Sequence, residues 1–85
     1  MKRITFTPDA FREYNEWIKQ DLEVVQKIQL LLRNIQQEPF KGLGKPEPLK
    51  NNFSGYWSRR ISHSDRLVYR ITPDTIDIIK CKGHY

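Results

Sequence analysis

Glu47 stands between two prolines and among lysines, in the run Gly44-Lys45-Pro46-Glu47-Pro48-Leu49-Lys50. The proline at 48 drives Glu47 out of the helical region, and the ring of Pro46 holds its own φ at about −65°. These constraints predict a stiff, polyproline-like piece that turns once in about three residues and sets Glu47 and Lys50 on one side. A carboxylate held rigidly among cations is equipped to accept a proton. Downstream, Arg59, Arg60, Arg66 and Arg70 add positive charge on segments that read as strands. Cleaving a ribose phosphodiester without a metal needs a base for the 2′-hydroxyl, cations for the phosphoryl oxygens and an acid for the departing 5′-oxygen. Glu47 can be that base, and Lys50, Arg60 and Arg66 can supply the charge. Arg60 and Arg66 share parity across Ser62-His63-Ser64-Asp65, so a three-residue loop at Ser62, His63 and Ser64 pairs them on one face. Two opposed arginines repel unless an anion lies between them. Taken singly, each of these residues also fits a plain solvated loop or strand face.

For the acid the chain offers His63, in a turn between serines, and His84, beside Tyr85 at the end of a predicted strand. The carboxylate of Tyr85 is a neighbouring negative charge that favours an imidazolium at His84. A tail frays unless tied down, so Tyr85 is expected to anchor it by its ring or its carboxylate. Two histidines and one cysteine without ligand spacing predict neither a metal site nor a cofactor. Cys81 lies inside an apolar strand, which is a poor place for a nucleophile. Gly42-Leu43-Gly44 lacks the spacing of a nucleotide-binding loop.

These residues need a frame. Lys2 to Phe6 alternates as a short strand, and Thr7-Pro8-Asp9 supplies an N-cap, a first-turn proline and a favourable acid for a helix. Phe11, Tyr14, Trp17 and Ile18 form its apolar stripe, with Arg12, Glu13, Glu16 and Lys19 outside. Asp21 caps a second helix whose stripe is Val24, Val25, Ile28, Leu31, Leu32 and Ile35, and which must stop before Pro39. Residues 39–52 read as a loop, long enough without an element of its own to hint at function. Tyr56–Ile61, Leu67–Ile71 and Thr75–Cys81 read as strands. The expected fold is α+β, in the order β-α-α-β-β-β, with two N-terminal helices packed on a curved, mainly antiparallel sheet.

The 85 residues suffice for one domain, 1–85. A net charge of +5 favours a polyanionic partner. Tyr56, Trp57 and Tyr85, lying among cations, could stack on bases. A single cysteine excludes an intramolecular disulfide and suits a reducing cytoplasm, and neither a membrane-spanning run nor a signal-peptide pattern is present.

The motifs Lys45-Pro46-Glu47-Pro48-Leu49-Lys50, Ser54-Gly55-Tyr56-Trp57-Ser58-Arg59-Arg60-Ile61, Arg66-Leu67-Val68-Tyr69 and the closing His84-Tyr85 resemble the YoeB/Txe toxins of the RelE superfamily. The resemblance implies a microbial-ribonuclease-like fold and a toxin of a type II toxin–antitoxin system. Its implied activity is that of an endoribonuclease acting on mRNA in the ribosomal A site. An acidic YefM-type antitoxin is implied as the silencing partner, with DNA touched only through that complex, and a toxin homodimer is often formed. By the same resemblance Glu47 is the general base, His84 the general acid, Arg66 the residue that stabilises the pentacoordinate phosphate, and Tyr85 the residue that positions the nucleotide. Lys50 and Arg60 are supporting cations. The rival expectation is a non-catalytic RNA- or ribosome-binding module, which needs the basic face but neither Glu47 nor His84.

Overall fold

The computed structural model describes residues 1–84. Strand β1 (Arg3–Phe6) leads into helices α1 (Pro8–Gln20) and α2 (Leu22–Gln37), followed by β2 (Glu47–Pro48), a short 3₁₀ turn (Asn51–Phe53), β3 (Trp57–Arg60), β4 (Arg66–Ile71) and β5 (Thr75–Lys80). The strands form one sheet in the order β1-β5-β4-β3-β2, antiparallel except where β1 runs parallel to β5. This is the expected α+β fold with one strand more than the sequence indicates.

Local chemistry sets the helices where the caps predict. Thr7 accepts from the Ala10 amide with Pro8 in the first turn, and Asp21 accepts from the amides of Glu23 and Val24. On α2, Val25, Ile28, Leu31, Leu32 and Ile35 are buried. Of these, Ile28, Leu31, Leu32 and Ile35 share one core with Leu67, Tyr69, Ile76 and Ile78 of the sheet, and each aliphatic side chain contributes roughly 1.5–3 kcal/mol on leaving water.

Helix α1 is rotated from its expected setting. Phe11 and Ile18 are exposed, and the buried residue is Ala10, with Tyr14 and Trp17 half-buried against the core. Two acids expected outside turn toward the chain's end instead. Glu13 accepts from the Cys81 amide at 2.7 Å and pairs with Lys80, while Glu16 pairs with Lys82. The Lys82 contact comes first among the causes that hold the Glu16 carboxyl below the usual carboxylate range. Apolar periodicity could not register these partners, because they lie more than sixty residues away.

Alternation gives the sheet two faces. Trp57, Arg59, Leu67, Tyr69, Ile76 and Ile78 turn toward the helices, so Ser58, Arg60, Arg66, Val68 and Arg70 turn the other way.

Candidate active site

The loop 38–46 is held by an arginine that the sequence suggests is a surface cation. Arg59 is fully buried. Its guanidinium donates to the carbonyls of Glu38 (2.6 Å), Lys41 (2.9 Å) and Leu43 (3.0 Å), to the Asn34 amide oxygen, and through Nε to the Tyr69 hydroxyl (3.1 Å). Tyr69 in turn donates to the Pro39 carbonyl at 2.8 Å. Burial pushes the Tyr69 phenol up, against the pull of Arg59. Arg59 therefore gathers loop carbonyls that no secondary structure would satisfy, and it contributes no charge to the open face. Gly44, at φ +77°, lets the loop lie flat on the sheet: a Cβ there would stand 3.0 Å from the Arg60 carbonyl and from the Leu31 side chain. The Arg60 amide donates to the Gly44 carbonyl at 2.7 Å.

So positioned, the chain enters β2 as an edge strand instead of a polyproline-like turn. Glu47 pairs with Ser58 and Pro48 with Trp57, and the Leu49 amide donates to the Tyr56 carbonyl at 2.9 Å. By alternation the nitrogens of residues 46 and 48 face away from β3, where no donor is needed, so prolines fit there. Because Glu47 is paired with Ser58, its side chain stands on the sheet face turned away from the core. Lys50 and the turn Asn51–Phe53 border the same hollow as Glu47.

Arg60 and Arg66 are direct partners across β3 and β4, as their parity predicts. Glu47, Ser58 and Val68 form the adjacent row. Strands lie ~4.8 Å apart, so this row sets Glu47 about two strand spacings from Val68. Nη1 of Arg66 donates to the carbonyls of Ser62 (2.9 Å), His63 (3.2 Å) and Asp65 (3.1 Å). Among the described residues, its Nε and Nη2 have no acceptor, and no carboxylate stands within ion-pair distance of Lys50, Arg60 or Arg66. Arg70 differs: it pairs with Asp77 at 3.0 Å and lies over the Tyr56 ring at 5.5 Å. Tyr56 is thus already stacked on a cation, and Trp57 packs on the helix side against Phe40, at 4.9 Å between centroids. Neither is the open stacking surface the sequence suggests.

His84 borders a second hollow of about 460 Å³, floored by Val68 and Ile79 and rimmed by Phe53, Lys80 and the first turns of α1. Phe53, exposed and set edge-on to Tyr56, borders this hollow and the Glu47 hollow alike. Nothing in the sequence separates this aromatic from an ordinary loop phenylalanine. The tail is tied down one residue before His84: the Gly83 amide donates to Asp65 Oδ1 at 2.7 Å, and the Gly83 carbonyl accepts from the Arg66 amide at 3.0 Å. The Trp17 indole adds a bond to the Cys81 carbonyl at 2.8 Å. Tyr85, predicted to anchor the tail and position the nucleotide, lies outside the described residues. His63 is exposed in its turn and gives its carbonyl to Arg66. The Cys81 thiol is buried and pushed up to about 12, chiefly by burial and secondly by Glu13. It is not a nucleophile at neutral pH. Among the described residues no three His, Cys, Asp or Glu side chains come together to hold a metal ion.

Residues 6–85 match the family described as the YoeB-like toxin of bacterial type II toxin-antitoxin systems. The chain is 48% identical over 83 residues to Toxin YoeB of Streptomyces coelicolor, covering 98% of the chain and 99% of that relative. The YoeB dimer from Staphylococcus aureus is similar at a TM-score of 0.94 and 46% identity, over 99% of this chain and 98% of that one. The toxin in the heterotetrameric YoeB-YefM toxin-antitoxin complex from Staphylococcus aureus is similar at a TM-score of 0.92 and 45% identity, over 100% of this chain and 99% of that one.

Proposed function

The chain belongs to the YoeB-like toxins of bacterial type II toxin–antitoxin systems, and from that premise we propose that it is an endoribonuclease cleaving mRNA in the ribosomal A site. One observation carries the reading. The sheet face turned away from the core sets an exposed carboxylate, Glu47, beside the opposed Arg60–Arg66 pair, and the tail that carries His84 is hydrogen-bonded to Arg66 itself. Opposed arginines without a carboxylate between them are arranged for an anion from outside.

Glu47 takes the proton of the ribose 2′-hydroxyl, and the 2′-oxygen attacks phosphorus. Charge gathering on the phosphoryl oxygens is met by the unengaged nitrogens of Arg66, with Arg60 and Lys50 behind them. As the P–O5′ bond breaks, His84 gives its proton to O5′. The products are a 2′,3′-cyclic phosphate, or the 3′-phosphate to which it hydrolyses, and a 5′-hydroxyl. No step calls for a metal. Tyr85 positions the nucleotide beside His84.

The Staphylococcus aureus complex and dimer support an antitoxin and a second toxin copy as partners. With a net charge of +5, the antitoxin is expected to be acidic and to cover the basic face. Among the described residues no helix is long and apolar enough to cross a membrane, and the proposed place of work is the cytoplasm, with the ribosome.

Cleavage on ribosomes programmed with message tests the chemistry. Glu47→Gln is expected to slow it by ~10²–10⁴-fold, the usual worth of a general base, while ribosome binding holds. Equal cleavage by variant and parent would remove Glu47 from the mechanism, and no cleavage beyond that of ribosomes alone in the parent would leave only a basic RNA- or ribosome-binding module.

A further inference from the structure

The turn between β3 and β4 makes contacts that its sequence does not announce. Asp65 uses both carboxylate oxygens. Oδ2 accepts from the Ser62 hydroxyl at 2.8 Å, which closes the turn, and Oδ1 accepts from the Gly83 amide at 2.7 Å, which holds the tail. The same turn gives three carbonyls, those of Ser62, His63 and Asp65, to Arg66 Nη1. The strand following the turn closes the ring, since the Arg66 amide donates to the Gly83 carbonyl at 3.0 Å. One five-residue hub therefore fixes a guanidinium on one side and the residue next to His84 on the other.

We infer that Asp65 is the positioning residue that sets His84 against Arg66, so that the acid and the phosphate-binding cation move as one unit. The inference rests on the acid and cation roles proposed above. Gly83, at φ +76°, occupies a conformation that a side chain rarely adopts, and a glycine is otherwise the freest link in a chain. A bond from a carboxylate to its amide is charge-assisted and about twice as strong as a neutral one. Asp65 thus removes the freedom that glycine would give the tail. A catalytic group displaced by about 1 Å can lose ~10²-fold in rate.

The test uses the full-length protein and single-turnover cleavage on programmed ribosomes. Two messages are compared: a natural one, and one whose scissile 5′-oxygen is replaced by sulfur. In the second, the P–S bond breaks and sulfur leaves as a thiolate, so no proton from His84 is required. Asp65→Ala is expected to cleave the natural message ~10²-fold more slowly and the sulfur-substituted message at nearly the parent rate. Asp65→Asn, which keeps an oxygen for Gly83, is expected to recover most of the loss. Exchange of the Gly83 amide with solvent deuterium should quicken in Asp65→Ala and much less in Asp65→Asn, a readout independent of activity. Parent-like cleavage of the natural message by Asp65→Ala overturns the inference. So does a loss that persists on the sulfur substrate when that of His84→Ala disappears. If sulfur fails to restore His84→Ala itself, His84 is not the acid, and it is the proposed chemistry that falls.

Discussion

The arginines that follow Glu47 are alike in the sequence and have different tasks in the fold. Arg59 is a buried tie, Arg70 is neutralised by Asp77, and Arg60 and Arg66 face the open side without a carboxylate partner among the described residues. Charge count alone cannot sort them; their partners do. Arg66→Ala is expected to slow cleavage by ~10²-fold or more, as the loss of an oxyanion donor does. Lys19→Ala removes the same unit of charge from the exposed last turn of α1 and should stay within a few-fold of the parent at matched ionic strength. Similar losses in both would assign the effect to bulk charge. Arg70→Ala is a poor control, because it also strips the hydrogen bond from Asp77 and the cation from Tyr56.

At the scale of elements, the caps and stripe of α2 were legible because their signals are local: Asp21 caps within three residues, and Val25 to Ile35 repeat within one helix. The pairing of Arg60 with Arg66 was legible for the same reason, since parity across a short turn fixes it. Glu47, Lys50 and His84 could be singled out by type and setting, but how they are held could not. Strand β2 exists because Arg59 organises the loop before it, and that requires carbonyls brought from Glu38, Lys41 and Leu43. The setting of α1 depends on Glu13 meeting the Cys81 amide, and the seat of His84 on Asp65 meeting Gly83. Long-range polar pairing leaves no period in a sequence. Arg59→Leu should therefore cost more than its place among surface-type residues suggests. Three loop carbonyls would lose their donor, and a destabilisation of about 3–5 kcal/mol is expected, read as a lower urea midpoint. A shift below ~1 kcal/mol would mean that water replaces the guanidinium without loss.

For the molecule as a whole, shifted groups tie stability to pH at both ends, Asp77 and Cys81 among them. Hydrogen bonds from Thr5 and Thr75, then Arg70, hold the Asp77 carboxyl below the usual carboxylate range. A depressed folded value stabilises above the unfolded carboxylate pKa of about 4, and that contribution is lost as pH falls through the folded value. The urea midpoint of the parent should therefore drop more steeply below about pH 4 than that of Asp77→Asn; parallel curves would contradict it. Cys81 acts at the other end. Burial pushes its folded thiol up to about 12, while an unfolded thiol ionises at about 8.5, so stability should decline as pH rises between those values, and less so in Cys81→Ala. The prolines of β2 have a consequence at this scale too. A sheet edge is a template, and a second chain laid along it can start a polymer. On the β2 side the outward-facing nitrogens are those of Pro46 and Pro48, so the edge that carries Glu47 offers a second chain no donors there. Replacing both with valine should leave Glu47 in register yet make the freed protein accumulate as fibrils, seen by light scattering and thioflavin binding. What stiffens the proposed base also blunts the sheet edge that carries it.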